Sequence, residues 1–261
     1  MKSPAHKDKY LLSSVLNAMQ VLQLFKNDKH DLSMAEISHA ADLPKSTAHR
    51  LISTLTNEGF LSQNPRTGKY RLGLSLLTLG GVISVHKEIY QEAFPLLETL
   101  VRKVNETCHL CLLEKERVVY FYRSERKNPE MLVTDIGKKS PMHCTGEGLI
   151  LLAYQDKSFT EYIFSKELKQ YTPYTITDPE ALRSTLETIR QKGYAISKEH
   201  YFRNFVGIAV PIRDYSSNVV SSLAIIGPTE RINEGNYSYY IEALKRAASD
   251  ISQELGYYGE A

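Results

Sequence analysis

Ser33-Met34-Ala35-Glu36-Ile37-Ser38-His39-Ala40-Ala41-Asp42-Leu43-Pro44-Lys45-Ser46-Thr47-Ala48-His49-Arg50-Leu51-Ile52-Ser53-Thr54-Leu55 is the stretch whose reading decides the fold. The S-x-x-E spacing of Ser33 and Glu36 is that of a capping box and predicts a short helix running through about Ala40. Pro44 lacks an amide hydrogen and suits a first helical position, so a second helix is expected from Pro44 to about Asn57, with Gly59 just beyond it. Leu51, Ile52 and Leu55 point to the core on this reading. Lys45, Ser46, Thr47, His49 and Arg50 then concentrate hydrogen-bond donors on the leading turns. Two helices joined by a turn of about three residues have the lengths of a helix-turn-helix, whose second helix meets base edges and phosphates in the major groove. On these residues alone, a polar amphipathic helix that touches no DNA explains the pattern equally well.

The flanks favour DNA. Upstream, Leu12, Val15, Leu16, Met19, Leu22 and Leu24-Phe25 recur at spacings of three and four, predicting a helix from Ser13 to Phe25. Downstream, Phe60–Gln63 and Lys69–Leu72 alternate as two short strands around the turn-forming Asn64-Pro65-Arg66-Thr67-Gly68. A basic hairpin after the recognition helix is a wing. Arg66, Thr67, Lys69 and Arg71 are its candidate contacts with the DNA backbone. From Pro44 to Arg71 five basic residues face one acid, Glu58. A solvated charged hairpin is the alternative.

The 261-residue chain carries a formal charge of only +2, which conceals an asymmetry. Residues 1–72 hold ten Lys and Arg against six Asp and Glu, and the remainder holds 22 against 24. Three cysteines fit a reducing cytoplasm better than a disulfide framework. The charged opening residues, 1–11, read as a loose tail without the apolar run of a signal peptide. The greasiest stretch, Leu72–Val85, is too short and interrupted to cross a membrane, so no membrane partner is expected.

The run from Ala40 to Leu55 resembles the recognition helix of the IclR family of bacterial transcriptional regulators. Gly59-Phe60-Leu61 and Thr67-Gly68-Lys69-Tyr70-Arg71-Leu72-Gly73 are similar to that family's wing and exit. The resemblance continues in family order through Ser140–Leu149, Tyr171-Thr172-Pro173, Thr175–Asp178, Gly193-Tyr194-Ala195, Ala209-Val210-Pro211 and Ile226-Gly227-Pro228. It spans roughly residues 12–256. It implies a winged helix-turn-helix domain over 12–73, a connecting helix over 74–90 and a GAF-like effector domain over 91–256; Gly80-Gly81 and a helical pattern from about Val82 to Lys103 read as the connector.

The residues beyond 91 fit an α+β unit with a mainly antiparallel sheet. Thr107–Leu113 and Val118–Arg123 form one expected hairpin, and Gly207–Ile212 and Val219–Ile226 form a second strand pair. Helices are expected around Gly148–Tyr154, Pro179–Lys192 and Tyr237–Leu255. The resemblance places an effector site at Leu132, Ser140, Gly146, Glu147, Ser197, Gly207, Ala224 and Ile226, with Met142 and Cys144 nearby. Ser197 stands where the family usually has Asp, Ala224 and Ile226 where Ser is frequent, and Glu147 where a small residue is found. The expectation is a pocket that rejects glyoxylate- or pyruvate-sized acids in favour of a larger neutral or amine-bearing compound. Alternatively, Glu147 faces solvent or caps its helix.

Cys108-His109-Leu110-Cys111 has a C-x-x-C spacing but falls in an expected strand, where alternation turns the two thiols to opposite sides. His143-Cys144 has no orienting third group for nucleophilic chemistry and reads as packing. His200, Tyr201 and Arg203 stand either at the mouth of the pocket or in solvent. No phosphate-binding glycine motif is present, so no nucleotide cofactor is expected. The function that follows is a regulator, taken as a repressor, binding a near-palindromic double-stranded operator as a homodimer or homotetramer under metabolite control. Two rivals remain: a DNA-binding protein that has lost its effector, and an enzyme with an accessory DNA-binding unit.

Overall fold

The computed structural model describes residues 11–26, 31–79, 93–130 and 134–259. The chain divides into two compact units, Met1–Lys87 and Glu88–Ala261.

In the first unit, α1 (Ser13–Gln23) ends in a 3-10 turn, Leu24–Lys26, and is followed by α2 (Met34–Ala40) and α3 (Lys45–Asn57). The capping box forms as the spacing predicts. Ser33 Oγ accepts from the Glu36 amide at 3.3 Å, and the Ser33 amide donates to Glu36 Oε2 at 2.7 Å. Pro44 sits one position earlier than expected: it is the N-cap, extended at ψ 141°, and its carbonyl accepts from the Ala48 amide at 2.9 Å. The turn between the helices is tied by Ser38, whose carbonyl accepts from the Leu43 amide (3.0 Å) and whose hydroxyl donates to the Leu43 carbonyl (2.8 Å).

Val21, Phe25, Ile37, Ala48, Ile52, Leu55 and Leu61 share one small core. Leu51 departs from the expectation. It is half-buried and lines a groove between α1 and α3 with Val15, Ala18 and Met19, while Ala48 takes the core position one turn earlier. Much of the apolar stripe of α1 lies outside the core: Leu12, Val15, Leu16 and Met19 are about half exposed or more.

The wing is β1 (Leu61–Gln63) paired antiparallel with β2 (Tyr70–Leu72). Leu32 adds a further bridge, exchanging both backbone hydrogen bonds with Tyr70 at 2.9 and 2.7 Å. The wing is thereby fastened to Leu32, the residue before the N-cap of α2. Gly73 closes the hairpin, since a Cβ there would stand 2.0 Å from the Gly59 carbonyl oxygen. Residues 74–79 are helical. The rest of the expected connecting helix, residues 80–90, lies outside the described residues.

The second unit is a three-layer α+β structure, as the strand patterns led us to expect. Its six-stranded antiparallel sheet has the order β5-β4-β3-β8-β7-β6, with β3 Thr107–Glu114, β4 Arg117–Ser124, β5 Lys139–Pro141, β6 Ala195–Lys198, β7 Phe205–Arg213 and β8 Val219–Pro228. One face packs on α4 (Ala93–Val104) and α8 (Tyr237–Glu254), through Leu97, Leu100, Leu244 and Ile251. The other packs on α5 (Gly146–Ala153), α6 (Lys157–Phe164) and α7 (Pro179–Lys192), through Leu149, Leu152, Leu182 and Leu186. Strand alternation explains the two cores. Cys108 and Leu110 belong to the first and Cys111 to the second, so the C-x-x-C thiols do lie on opposite faces. The described end of the helical pattern expected to reach Lys103 is α4, a core element of this unit.

Candidate functional site

In the first unit the expected DNA contacts occupy one side of α3 and the wing. Lys45, Ser46, His49 and Arg50 are exposed and Thr47 is half-buried. At 100° per residue, Arg50 projects roughly opposite the buried Ala48, Ile52 and Leu55. An exposed guanidinium on a helix anchored by three buried side chains is geometry suited to a bidentate guanine contact. The wing turn is rigidified by Asn64, whose Oδ1 accepts from the amides of Arg66 (2.9 Å) and Thr67 (3.3 Å). Arg66, Thr67 and Arg71 are exposed around it. Lys69 Nζ lies 3.9 Å from Glu36 Oε2, a partly exposed pair of the kind worth little to stability. Lys69 therefore remains available to phosphate. Lys69→Ala should weaken binding about equally on all duplexes and reduce the slope of log affinity against log salt by about one, read from titrations at several ionic strengths.

In the second unit, Gly146, Glu147, Ser197, Gly207 and Ile226 come together in an open concavity, with an enclosed volume of about 20 Å³, together with Tyr120, Thr145, His200, Tyr201, Phe202 and Phe205. The sheet register explains the convergence, since Ser197 pairs with Gly207 and Gly207 with Ile226 across β6, β7 and β8. The two glycines let the α5 N-terminus lie against β7, because a Cβ on Gly146 would meet the Gly207 carbonyl oxygen at 3.1 Å. His200 and Tyr201 line the concavity, whereas Arg203 is exposed elsewhere.

Four positions inferred from the resemblance do not line it. Ser140 is buried in β5 opposite Val118. Ala224 lies within the α5-side core, paired with Ala209 and His109. Cys144 contributes its carbonyl, which accepts from the Ser197 hydroxyl at 3.1 Å. Met142 lines a neighbouring concavity with Arg117, His143 and Tyr171. Position 132 lies outside the described residues. The sequence reading missed Tyr120, Thr145, Phe202 and Phe205; the alternation of β4 places Tyr120 on the same face as Val118, which was the available signal.

Glu147 faces inward. It is 6% exposed, and the Tyr120 hydroxyl donates to its Oε1 at 2.7 Å. Burial pushes its pKa up, and the opposing hydrogen bonds, chiefly from its own amide and the Tyr120 hydroxyl, do not offset that. A carboxyl raised in the folded state contributes most stability below its unfolded value, and that contribution is lost as pH rises through the folded value. Glu147→Gln should therefore raise the melting temperature of the ligand-free protein at neutral pH, with the gain shrinking as pH falls toward the usual carboxylate range. A gain independent of pH would contradict the burial of an ionised group.

Beneath the concavity, His109 Nε2 is 3.1 Å from Thr134 Oγ1, and its ring is tilted against Tyr120 at 5.1 Å. Burial, and secondarily the Arg123 charge, pushes His109 down to about 3, so it is neutral at physiological pH. His143 Nε2 is 2.9 Å from the Lys169 carbonyl, to which it donates. Burial pushes the Cys144 thiol up. These are the properties of packed side chains rather than of a nucleophile and its base.

A helix-turn-helix with a wing, followed by an α+β domain with a concavity at the N-terminus of α5, defines a ligand-sensing type of DNA-binding transcription regulator. Residues 14–65 match the IclR helix-turn-helix domain, and residues 82–253 match the bacterial transcriptional regulator IclR C-terminal domain. The chain belongs to the IclR family. It is 32% identical over 248 residues to the HTH-type transcriptional regulator XynR of Escherichia coli (strain K12), covering 95% of this chain and 98% of that one. It is 31% identical over 245 residues to the HTH-type transcriptional regulator KipR of Bacillus subtilis (strain 168), covering 94% and 97%. Among solved structures, an IclR homolog from Microbacterium hydrocarbonoxydans complexed with 4-hydroxybenzoate superposes with a TM-score of 0.86 at 31% identity, covering 94% of this chain and 99% of that one.

Proposed function

We propose that this regulator is a cytoplasmic, non-enzymatic repressor that binds a near-palindromic operator as a homodimer or homotetramer and changes its affinity when a small metabolite fills the concavity beside α5. The observation that carries the DNA half is the single-sided array of Lys45, Ser46, Thr47, His49 and Arg50 beside a basic wing. One recognition helix reads too few base pairs for operator specificity, which favours paired units. The exposed Leu12, Val15, Leu16 and Met19 of α1, and Leu74 and Leu77 beyond the wing, support an interface between copies.

The effector half rests on Gly146, Glu147, Ser197, Gly207 and Ile226 lining one small concavity with aromatic walls. A homolog bound to 4-hydroxybenzoate supports an effector about as large as one substituted ring. Ser140, Met142, Cys144 and Ala224 act in this reading as packing that shapes the site. The hydroxyl lost at 226 and the carboxylate at 147 disfavour glyoxylate- or pyruvate-sized acids. Control requires the ligand to prefer one arrangement of the paired DNA-binding units, with a coupling of about 1–3 kcal/mol. Gel shifts on DNA upstream of the protein's own coding region, with and without a metabolite panel, test the proposal. The expected outcome is a shift altered by at least one metabolite. A shift insensitive to every metabolite would favour a regulator without an effector, and no shift at low salt would overturn the DNA-binding reading.

A further inference from the structure

The chemistry of the concavity beside α5 narrows its ligand, an inference that rests on reading that concavity as the effector site. Among the described residues that line it, Glu147 is the sole acid, and neither lysine nor arginine is present. Three of the four lining hydroxyls are committed. Thr145 donates to the Pro141 carbonyl at 3.1 Å, Ser197 to the Cys144 carbonyl at 3.1 Å, and Tyr120 to Glu147 itself at 2.7 Å. An anionic ligand would thus meet a buried carboxylate with no counter-charge beside it, an arrangement that costs heavily away from water.

A cation reverses every one of these terms. It supplies the counter-charge that the hydrogen bonds to Glu147 do not replace. His200 Nδ1 is buried without a hydrogen-bond partner among the described residues, and in the neutral ring that nitrogen is able to accept from an ammonium N–H. The wall is aromatic. Tyr201 packs on Phe202 with ring centroids 4.5 Å apart, and Phe202 packs on Phe205 at 6.4 Å. Aromatic faces attract cations as well as covering apolar surface. The enclosed part of the concavity measures only about 20 Å³, room for about one water or one ammonium group, and the rest is open to solvent, so an apolar body would lie along the aromatic rim.

We propose that the concavity binds a small organic cation, an ammonium group on an aromatic or similarly apolar body, with Glu147 as its counter-charge and Tyr201, Phe202 and Phe205 around the body. Isothermal titration of the full chain with three probes of similar size tests this: tyramine, its neutral hydroxyl counterpart tyrosol, and 4-hydroxybenzoate. A charge-assisted contact predicts tyramine binding about tenfold or more tighter than tyrosol, with 4-hydroxybenzoate weakest. Glu147→Gln keeps the side-chain shape and an acceptor for Tyr120. It should bring tyramine and tyrosol to within about twofold of one another while tyrosol binding persists, which also reports an intact pocket.

Tyrosol or 4-hydroxybenzoate binding as tightly as tyramine would overturn the cation assignment and leave the effector site standing. Tyramine binding that Glu147→Gln does not change would also overturn it, by placing the cation elsewhere. Binding by none of the three would contradict the proposal as well, and the gel shift with the metabolite panel decides the wider reading independently.

Discussion

Arg231→Ala is expected to destabilise the C-terminal unit by about 3 kcal/mol, the low end of the range for breaking a buried ion pair by removing one partner. Arg231 donates from Nε to Glu106 Oε1 at 2.6 Å and from a terminal nitrogen to Glu106 Oε2 at 2.8 Å, a bidentate pair. The same guanidinium reaches Glu130 Oε1 at 2.6 Å, and Arg126 holds that carboxylate at 3.2 Å. Glu106 is 1% exposed, whereas the Arg231 side chain is 34% exposed. Removing the arginine therefore strands a carboxylate that water cannot readily reach. The network joins the start of β3, the end of β8 and the segment after β4, so the loss is felt across one end of the sheet. In a unit of this size the melting temperature should fall by roughly 10 °C. Adding Glu106→Gln to Arg231→Ala should recover part of that loss, because the stranded charge is gone. A drop of only a degree or two in Arg231→Ala would show that the pair is solvated in solution.

Arg50→Ala is the second large effect, on binding rather than stability. Arg50 is exposed on the outward side of α3, and its carbonyl accepts from the Thr54 hydroxyl at 2.9 Å, a contact the substitution leaves intact. Losing a bidentate base contact costs about 1–3 kcal/mol, so affinity for the operator should fall roughly thirtyfold with the fold unchanged. Affinity for unrelated duplexes should fall far less. That contrast separates Arg50 from Lys69, whose loss should be nearly uniform across sequences. Equal loss on operator and unrelated DNA would make Arg50 a phosphate contact and turn α3 about its axis relative to this account.

The two halves of the molecule were unequally legible in the sequence. Local rules dominate the DNA-binding unit. Ser33 and Glu36 announce a helix start, Asn64 to Gly68 a turn, and the donors from Lys45 to Arg50 an exposed polar face, because each signal acts within a few residues. On α3 the misplaced core residue, Leu51, illustrates the limit: periodicity marks a stripe of leucine and isoleucine, whereas the space beside α1 decided that small Ala48 would be the buried neighbour.

The sensor unit's long strands were readable by alternation, but β5, β6 and α6 were not, being short and stabilised by pairing rather than pattern. The pocket depends on residues far apart in the chain. Tyr120 meets Glu147 only because β4 and the α5 N-terminus converge, and Phe202 and Phe205 take part through the segment leading into β7. Family position brought in Ser140, Met142, Cys144 and Ala224, which the fold places around the cavity rather than on its wall.

The central claim is that the donor face of α3 reads a particular DNA sequence. Competition titration of the full-length protein most directly tests it, with a labelled upstream duplex carrying the operator displaced by unlabelled operator or by a scrambled duplex of the same composition. The account predicts that the operator competes at concentrations lower by a factor of about 10³ or more at physiological salt. Equal competition by the two duplexes would contradict it.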